Sequence, residues 1–435
     1  MPTPRDREPM MTSVTLFQGR RWRARASSLC LALAITSTGC QSLLEVELPG
    51  QLETEKVEIP DNAPLLAGAV LAEFECAFAK YIMASSLIGN ELNVSILTTH
   101  WWSYDQRALA DVASGPTWAS ATCDQNEPAI YTSLSVARFL GDKVFKLLDG
   151  WTDAAVPGRG ALLAQTAAYT GYSYLLLSEA MCSAVFDEGT EVTTAQIRAR
   201  AEERFNRAIA LGATANRPDL VNMSLLGRAR VRLAAGKKAE AAADAQLIPA
   251  GFVKNALYSA AAGRSENRVF ALNNRSSFVS IESIYQNLTF NGVPDRRVAI
   301  VDAARLAADG RTPLFLQTKY ASLGTPIPIA RHAEARLIIA ENAVATGNLS
   351  AAVAEINALH TAAALPNYQG GTATEVMAQI VEERKREFFL ESHHYNDAIR
   401  YQIAPFPAPG VPHKFGGFHG GALACLPLPS FERKG

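Results

Sequence analysis

The fold is decided by residues 333–359, which read AEARLIIAENAVATGNLSAAVAEINAL. Two runs within it, 333–345 and 351–359, carry apolar residues at helical spacing, and Gly347-Asn348 between them is a turn signal. Small alanines lie where the two helices would meet, which is typical of a tetratricopeptide-like antiparallel helix pair. Such a pair cannot bury its apolar face alone, so it must stack on further pairs.

A second helix pair of the same kind lies earlier in the chain, where a helix ending at Ala235 turns at Gly236 into 239–247. Helical spacing also predicts helices over 65–87, 127–148, 162–186, 194–211 and 219–235. Strand signals are few, and the best are 278–281 and 298–301, in an irregular region between two blocks of helices. We therefore predict a mostly all-α fold, with tetratricopeptide-like helix pairs stacked as a scaffold and a few short strands.

Composition and motifs favour binding over catalysis. The 41 basic and 42 acidic residues give a formal net charge of -1, which provides no electrostatic footprint for nucleic acid. The chain has no G-x-S-x-G elbow, no P-loop and no Rossmann glycine fingerprint after a strand. We expect no enzyme activity, no catalytic residues, no cofactor and no metal. Two carboxylates far apart in sequence can still form a glycosidase site, so a lipoprotein hydrolase stays an alternative.

The N-terminal residues predict export. Arginines at 20, 21, 23 and 25 precede a short apolar run over 29–35, which is far below the roughly 20 residues of a membrane-spanning helix. The run ends in Ser37-Thr38-Gly39-Cys40, so we predict a lipoprotein signal peptide over 1–39 and an acyl chain, such as palmitate, on Cys40. Ordinary signal-peptide cleavage, with Cys40 as an incidental thiol, is the alternative.

The segment after Cys40 contains prolines, a glycine and many acids. This composition predicts an extended arm over 40–63 that runs from the lipid anchor to the first helix. We expect 64–435 to form a single helical domain, with irregular, ligand-facing parts near 90–125 and 252–318.

Four cysteines remain beyond the lipidation site, Cys76, Cys123, Cys182 and Cys425. An even set in an oxidising compartment permits two disulfides in any of three connectivities. No two of them lie within four residues of each other, which does not suit zinc. We favour Cys76 with Cys123 and Cys182 with Cys425, because the first pair would tie the first helix to the start of the second. Buried free thiols are the alternative.

An aromatic and polar cluster lies in the non-periodic segment between the first two long helices, Trp101-Trp102-Ser103-Tyr104-Asp105-Gln106-Arg107. Sugar rings stack on aromatic faces, while long polar side chains bond their hydroxyl groups. The cluster therefore contains five candidate ligand-binding residues, Trp101, Trp102, Tyr104, Gln106 and Arg107. The alternative is that one Trp fills the core and the other contacts a partner protein.

Near the C-terminus, Thr372-Ala373-Thr374-Glu375 is a capping box that opens the last long helix. We expect this helix to place a broad apolar face against the scaffold, formed by Val376, Ile380, Phe388, Tyr395 and Ile399. Glu383 and Glu387 are spaced for ion pairs, so we interpret them as structural rather than as a catalytic pair.

An ordered series of motifs runs through 319–400: KY at 319, PIPIARHAEA at 326, GN at 347, IN at 356, ERKREF at 383 and YNDAIR at 395. This series, with LPLPSFE at 426–432, resembles the SusD/RagB family of outer-membrane nutrient-binding lipoproteins. That family usually has Glu-Gly-x-Arg where this chain reads Glu391-Ser392-His393-His394, and we expect the helix to continue through this difference.

The resemblance implies a non-catalytic lipoprotein of the outer membrane, anchored at the cell surface. It would bind a glycan or oligosaccharide, or else a peptide, and deliver it to a SusC-like TonB-dependent transporter. The family places much of its ligand contact in the irregular region, which adds Asn274 and Tyr285 to the candidate ligand-binding residues. A lipid-anchored tetratricopeptide scaffold that binds other envelope proteins is the alternative function.

Overall fold

A computed structural model of the protein describes residues 54–108, 121–123, 125, 127–421 and 423–433. The chain divides into two units, Met1–Val57 and Glu58–Gly435. The predicted signal peptide and Cys40 lie outside the described residues. The described end of the predicted arm is helical rather than extended, with helix α1 (Thr54–Val57) in the first unit and a 3-10 turn at Pro60–Asn62 in the second. Proline suits this turn because its fixed φ is already helical.

The second unit is built mainly of helices, which confirms the predicted fold class. They are α2 (Ala63–Ile88), α3 (Thr99–Asp105), α4 (Tyr131–Gly150), α5 (Arg159–Ala180), α6 (Thr194–Thr214), α7 (Pro218–Ala234), α8 (Lys238–Ala245), α9 (His332–Ala345), α10 (Leu349–Ala362), α11 (Ala373–Glu387) and α12 (His394–Tyr401). From α4 to α10, each helix packs on the next one along the chain. Among the described helices, none is long and apolar enough to cross a membrane.

Small residues let neighbouring helices approach closely. Phe205 of α6 is buried between Gly171 of α5 and Gly227 of α7, and a Cβ on either glycine would lie within 2.8 Å of its ring. The edge of the Phe205 ring also meets Tyr172, with ring centroids 5.1 Å apart. Alanine at either glycine would therefore clash with an aromatic side chain that has no free space to move into.

Helices α9 and α10, the pair over 333–359, share one core with the last long helix, α11. Leu337 of α9, Ile356 of α10 and Val376 and Ile380 of α11 are fully buried and pack together with Phe388. The predicted capping box is confirmed, because the Thr372 side chain accepts the Glu375 N–H and the Glu375 carboxylate accepts the Thr372 N–H. Burial of these apolar side chains stabilises each by roughly 1.5–3 kcal/mol.

The prediction of one continuous helix through residue 399 is wrong. The helix ends at Glu387, and α12 begins only at His394. Between them Leu390 and Ser392 adopt positive φ angles of 58° and 73°. A right-handed helix cannot continue through residues in the left-handed region. Ser392 stands at the position where the motif that this segment resembles has glycine, the residue for which this conformation costs least.

The helix predicted over 162–186 is also too long, since α5 ends at Ala180. The chain then changes direction into strand β2 (Ser183–Ala184), which pairs with β3 (Val192–Thr193). Cys182, between α5 and β2, forms a disulfide with Cys425, and Cys76 of α2 forms one with Cys123. These are the two pairs favoured from the sequence.

The described strands form five two-stranded antiparallel sheets. Besides β2 and β3, the pairs are β1 (Leu92–Val94) with β5 (Val279–Ile281), β4 (Val253–Ala256) with β10 (Ile327–Arg331), β6 (Thr289–Phe290) with β7 (Val293–Pro294), and β8 (Ile300–Leu306) with β9 (Pro313–Gln317). The two predicted strands correspond to β5 and β8. The β1–β5 pair brings the aromatic segment after α2 beside the irregular region.

Glu383 and Glu387 are held in ion pairs, which confirms their structural interpretation. The Glu383 carboxylate is 2.7 Å from His360 Nε2 and 2.6 Å from Arg297 Nη1. Glu387 pairs with Arg297 and Arg331. Burial raises the pKa of Glu383, but the His360 hydrogen bond and the Arg297 charge lower it by more, so the carboxyl stays ionised.

Candidate functional site

Two chain segments that are distant in sequence form the candidate site. The first contains β1 and α3, and the second is a glycine-rich segment over 405–421, here called the C-terminal loop. Arg107 connects the two segments by hydrogen bonds, because its guanidinium donates to the carbonyl oxygens of Phe406 at 3.1 Å and Pro407 at 2.5 Å. Gln106 adds a bond from Nε2 to the Gly416 carbonyl oxygen at 2.7 Å.

A cavity of about 350 Å³, called the cleft below, lies between these two segments and the β8–β9 hairpin. The surface that faces the cavity is mainly apolar, although most of the lining residues are polar or charged: Asn93, Asp105, Glu282, Arg311, Thr312, Pro313, Pro407, Val411, Pro412, His413, Lys414 and His419. A cavity of this size is within the usual range for small-molecule sites.

Asp105 organises the inner wall of the cleft. Its buried carboxylate accepts the Val94 N–H at 3.2 Å and lies 3.1 Å from His413 Nε2. The Phe415 N–H donates to His413 Nδ1, so Nε2 carries the proton that His413 donates to Asp105. The second histidine, His419, lies with Nδ1 3.2 Å from the Asp105 carbonyl oxygen. Burial lowers the pKa of His419, which favours its neutral form.

Lys414 joins three walls of the cleft. Its Nζ donates to Asn93 Oδ1 and to Thr312 Oγ1, both at 2.9 Å. Burial lowers the pKa of this ammonium group, although Asp105 and Asp309 partly oppose the effect. Asp309 in turn fixes the hairpin turn by accepting the N–H groups of Arg311 and Thr312 at 2.9 Å. The polar side chains of the cleft are therefore held in place before any ligand arrives.

An aromatic surface lies beside the cleft. The rings of Trp102 and Phe415 stack with centroids 4.7 Å apart and an interplanar angle of 18°, and both side chains are half-buried. We call this pair the aromatic platform. Trp102 is fixed by a bond from Nε1 to the Ile96 carbonyl oxygen, and the His413 ring meets Phe415 edge-on. The platform is thus joined to the cleft through His413.

The other residues predicted from the aromatic cluster have structural contacts. Trp101 is buried and its ring meets Phe278 edge-on, while Tyr104 is buried and donates its hydroxyl to the Pro128 carbonyl oxygen. Burial raises the pKa of Tyr104 well above its ordinary value. Neither ring presents a face to a ligand, and Gln106 and Arg107 hold the C-terminal loop.

Asn274 and Tyr285 are not brought to the cleft. Asn274 exchanges two hydrogen bonds with Gln317, at 2.9 Å and 2.6 Å. Tyr285 is fully buried and stacks on Phe389, with ring centroids 5.0 Å apart. The sequence interpretation, in contrast, missed the C-terminal loop. The signal present there was the alternation of aromatic, histidine and glycine residues in HKFGGFHG over 413–420.

Within the described ranges there is no group of three or more His, Cys, Asp and Glu side chains that could hold a metal ion. His393 and His394, which sit together in sequence, have separate surroundings. His393 stacks on Phe388 with ring centroids 4.2 Å apart, and His394 meets Tyr285 edge-on. Burial lowers the pKa of His394 to about 4, so both rings serve as packed neutral side chains.

The family model for the SusD family matches residues 316–420, which include the last four helices, α9 to α12, and most of the C-terminal loop. No curated protein sequence matches the chain. Among solved structures, surface glycan-binding protein A from Bacteroides thetaiotaomicron is similar, with 14% identity, a TM-score of 0.63 and coverage of 86% of this chain and 96% of that one.

Its counterpart from Bacteroides uniformis has 15% identity and a TM-score of 0.60, over 85% of this chain and 97% of that one. A SusD-like protein from Bacteroides fragilis NCTC 9343 has 10% identity and a TM-score of 0.63, over 86% of this chain and 93% of that one. At these identities the likeness shows a shared fold. The chain thus has the fold of SusD-like proteins, and its residues 316–420 match the SusD family model.

Proposed function

We propose that this protein binds a glycan or oligosaccharide at the cleft and the aromatic platform, without catalysing a reaction. The observation that carries the proposal is the stacked Trp102–Phe415 pair, half-buried beside a cavity of about 350 Å³ that Asp105, His413 and Lys414 help to line. Sugars have one apolar ring face and a rim of hydroxyl groups, so they are bound by a flat aromatic surface next to fixed hydrogen-bonding groups.

The charges in the cleft suit an uncharged ligand. Arg311 and Lys414 supply positive charge, while Glu282 and Asp105 supply negative charge. Asn93 and Thr312 add neutral groups whose oxygen atoms already accept from Lys414. The cationic and the anionic side chains can both form hydrogen bonds with hydroxyl groups. A ligand with net charge would instead be repelled by the side chains of like charge.

The same geometry supports binding over hydrolysis. A glycosidase needs one carboxyl group that protonates the leaving oxygen and a second that acts as nucleophile or base. Asp105 is buried and occupied by the Val94 N–H and by His413. Glu282 accepts the N–H and the hydroxyl of Ser283 through a single oxygen. One of the two carboxylates is therefore withdrawn from contact with a substrate.

The similar proteins support this proposal. Two of the structures with the same fold are named surface glycan-binding protein A. For this chain we propose the corresponding setting, in which lipid attached to Cys40 anchors the protein at the outer-membrane surface. There it would pass its ligand to a SusC-like TonB-dependent transporter.

Replacement of Trp102 by alanine tests the binding site. We expect the affinity for the best ligand in a panel of neutral oligosaccharides to fall about tenfold, because half of the stacking surface is lost. Isothermal titration calorimetry measures the change. Phe139→Ala is the matched control, since Phe139 is an exposed aromatic residue of α4 that does not line the cleft. Equal affinities for the Trp102 variant and the native protein would contradict the proposal.

A pull-down from detergent-solubilised outer membranes tests the setting. We expect the lipidated protein to recover a TonB-dependent barrel, and Cys40→Ala to leave the membrane fraction and lose that partner. Proteins that copurify are identified by mass spectrometry. Recovery of other envelope proteins without a barrel would instead favour a lipid-anchored tetratricopeptide scaffold.

A further inference from the structure

A second cavity, of about 560 Å³, is lined by residues from the end of β7, the start of β8 and β9. None of its lining residues also lines the cleft. Leu288, Val298, Ile300 and Phe315 contribute apolar groups to its lining, and the Phe315 ring is half-buried. Asn287, Arg296, Asp302 and Thr318 also line the cavity and are exposed. The cavity therefore combines a mainly polar surface with a smaller apolar part.

Arg296 differs in its ion pairing from the two charged residues beside it, Asp295 and Arg297. Asp295 is buried and its carboxylate pairs with Arg297 at 2.7 Å and with Arg386 at 3.4 Å. Arg297 in turn pairs with Glu383 and Glu387. The guanidinium of Arg296 has no ion pair or hydrogen bond with any residue that the structure describes. Its charge is therefore available to a ligand, whereas the charges on either side are neutralised.

Neutral hydrogen-bonding groups stand beside this free charge. Thr318 donates its backbone N–H to the Ala299 carbonyl oxygen at 3.0 Å, which leaves its hydroxyl for other partners. Asn287 adopts a positive φ of 57°, a conformation that asparagine tolerates better than most residues. Gln286 donates its side-chain N–H to the Ile281 carbonyl oxygen at 3.1 Å, which leaves its own amide oxygen as an acceptor.

We propose that this cavity is a second binding site, for a sugar that bears one carboxylate, such as a uronic acid unit. The planar guanidinium of Arg296 binds the carboxylate through two N–H groups. The ring face of the sugar packs on Phe315, and its hydroxyl groups bond Asn287 and Thr318. Asp302, at the same opening, repels a second negative charge and so limits the preference to singly charged units. This site does not depend on the proposed glycan cleft.

The test compares methyl β-D-glucuronide with methyl β-D-glucoside, which differ by the carboxylate alone. We expect the native protein to bind the glucuronide about tenfold more tightly, the difference that one charge-assisted hydrogen bond supplies. An NMR titration, in which chemical shifts are followed as each sugar is added, gives both affinities. The preference should decrease as salt rises, because the guanidinium is exposed.

Three variants make the test specific. Arg296→Gln should abolish the preference for the glucuronide, and Asp302→Asn should strengthen it. Arg305→Gln is the matched control, because it removes an equal charge from β8, the strand that follows Arg296, and Arg305 does not line the cavity. Equal binding of the two probes, no saturable binding of the glucuronide, or a preference that survives Arg296→Gln would each overturn the proposal. Failure of the Trp102 experiment would leave this result unchanged.

Discussion

Replacing Arg230 with methionine is expected to lower the free energy of unfolding by about 3–5 kcal/mol, the usual cost of breaking a buried ion pair. Arg230 of α7 binds Glu179 of α5 through two parallel bonds of 2.6 Å. The side chains of Arg230 and Glu179 are 4% and 0% exposed. Methionine fills much of the same volume, but it leaves the Glu179 carboxylate buried without its cation.

The matched control removes both charges. The double variant Glu179→Leu, Arg230→Met should recover most of the lost stability, because no unpaired charge is then left in the interior. Urea denaturation followed by circular dichroism gives the free energy of unfolding for the native protein, the two single variants and the double variant. A loss of under about 1 kcal/mol in the Arg230 variant would mean that water reaches Glu179.

Replacing Glu334 with glutamine is expected to stabilise the protein at pH 8 by about 3 kcal/mol, with little effect at pH 4.5. Glu334 lies on α9, and its Oε1 atom is buried with no hydrogen-bond partner among the described residues. Burial raises the pKa of this carboxyl from 4.5 to about 7, although cations partly oppose the rise. The charged groups that face it are Arg230 of α7, Arg384 of α11, Glu179 of α5 and Arg331 at the end of β10, and the neutral His393 lies nearby.

The direction in which the stability changes with pH follows from proton binding by Glu334. Below pH 4.5 the carboxyl is protonated in both the folded and the unfolded chain, so its folded environment carries no penalty. As the pH rises from 4.5 to about 7, the unfolded chain releases the proton while the folded protein keeps it, and stability falls. Above pH 7 the full difference of about 3 kcal/mol applies. Glutamine has no such dependence.

Chemical denaturation at pH 4.5 and at pH 8 measures this effect. The gap in unfolding free energy between the glutamine variant and the native protein should widen as the pH rises. A gap that is the same at both pH values would show that packing, and not ionisation, separates the two side chains. Glu355→Gln serves as control, because Glu355 pairs with Arg336 on a partly exposed helix surface.

Apolar periodicity predicted most of the helices, because an amphipathic helix carries its own burial pattern. The helix pair over 333–359 shows this well, since its apolar positions Leu337 and Ile356 are fully buried. The strand pairs could not be found in this way. β4 pairs with β10 and β1 pairs with β5, so each strand is stabilised by a partner far away in sequence.

The break between α11 and α12 shows a second limit. The apolar residues on both sides of it, Val376 and Tyr395, are buried as a single helix would require. The chain nevertheless turns at Leu390 and Ser392, whose positive φ angles depend on local packing. One such contact is the hydrogen bond from the Leu390 N–H to the buried Glu91 carboxylate, at 2.8 Å. Glu91 lies just after α2, so no pattern near residue 390 could have shown it.

The candidate site was predicted in part. The aromatic cluster predicted from the sequence contributes one segment of the proposed site, and Trp102 keeps a partly exposed ring there. Its stacking partner Phe415 and the histidine that joins the platform to the cleft lie in a loop without periodicity. Their role depends on the bonds from Arg107 to the C-terminal loop, which join residues about 300 positions apart. Contacts at that separation carry no signal in a single sequence.

The position of the C-terminal loop has a consequence for the order in which the cleft is completed. One wall comes from residues near 93–105 and the opposite wall from residues near 407–419. A chain whose last residues have not yet been made has only the first wall. The cleft is therefore completed only at the end of synthesis, and a shortened chain that ends before residue 407 would lack the second wall.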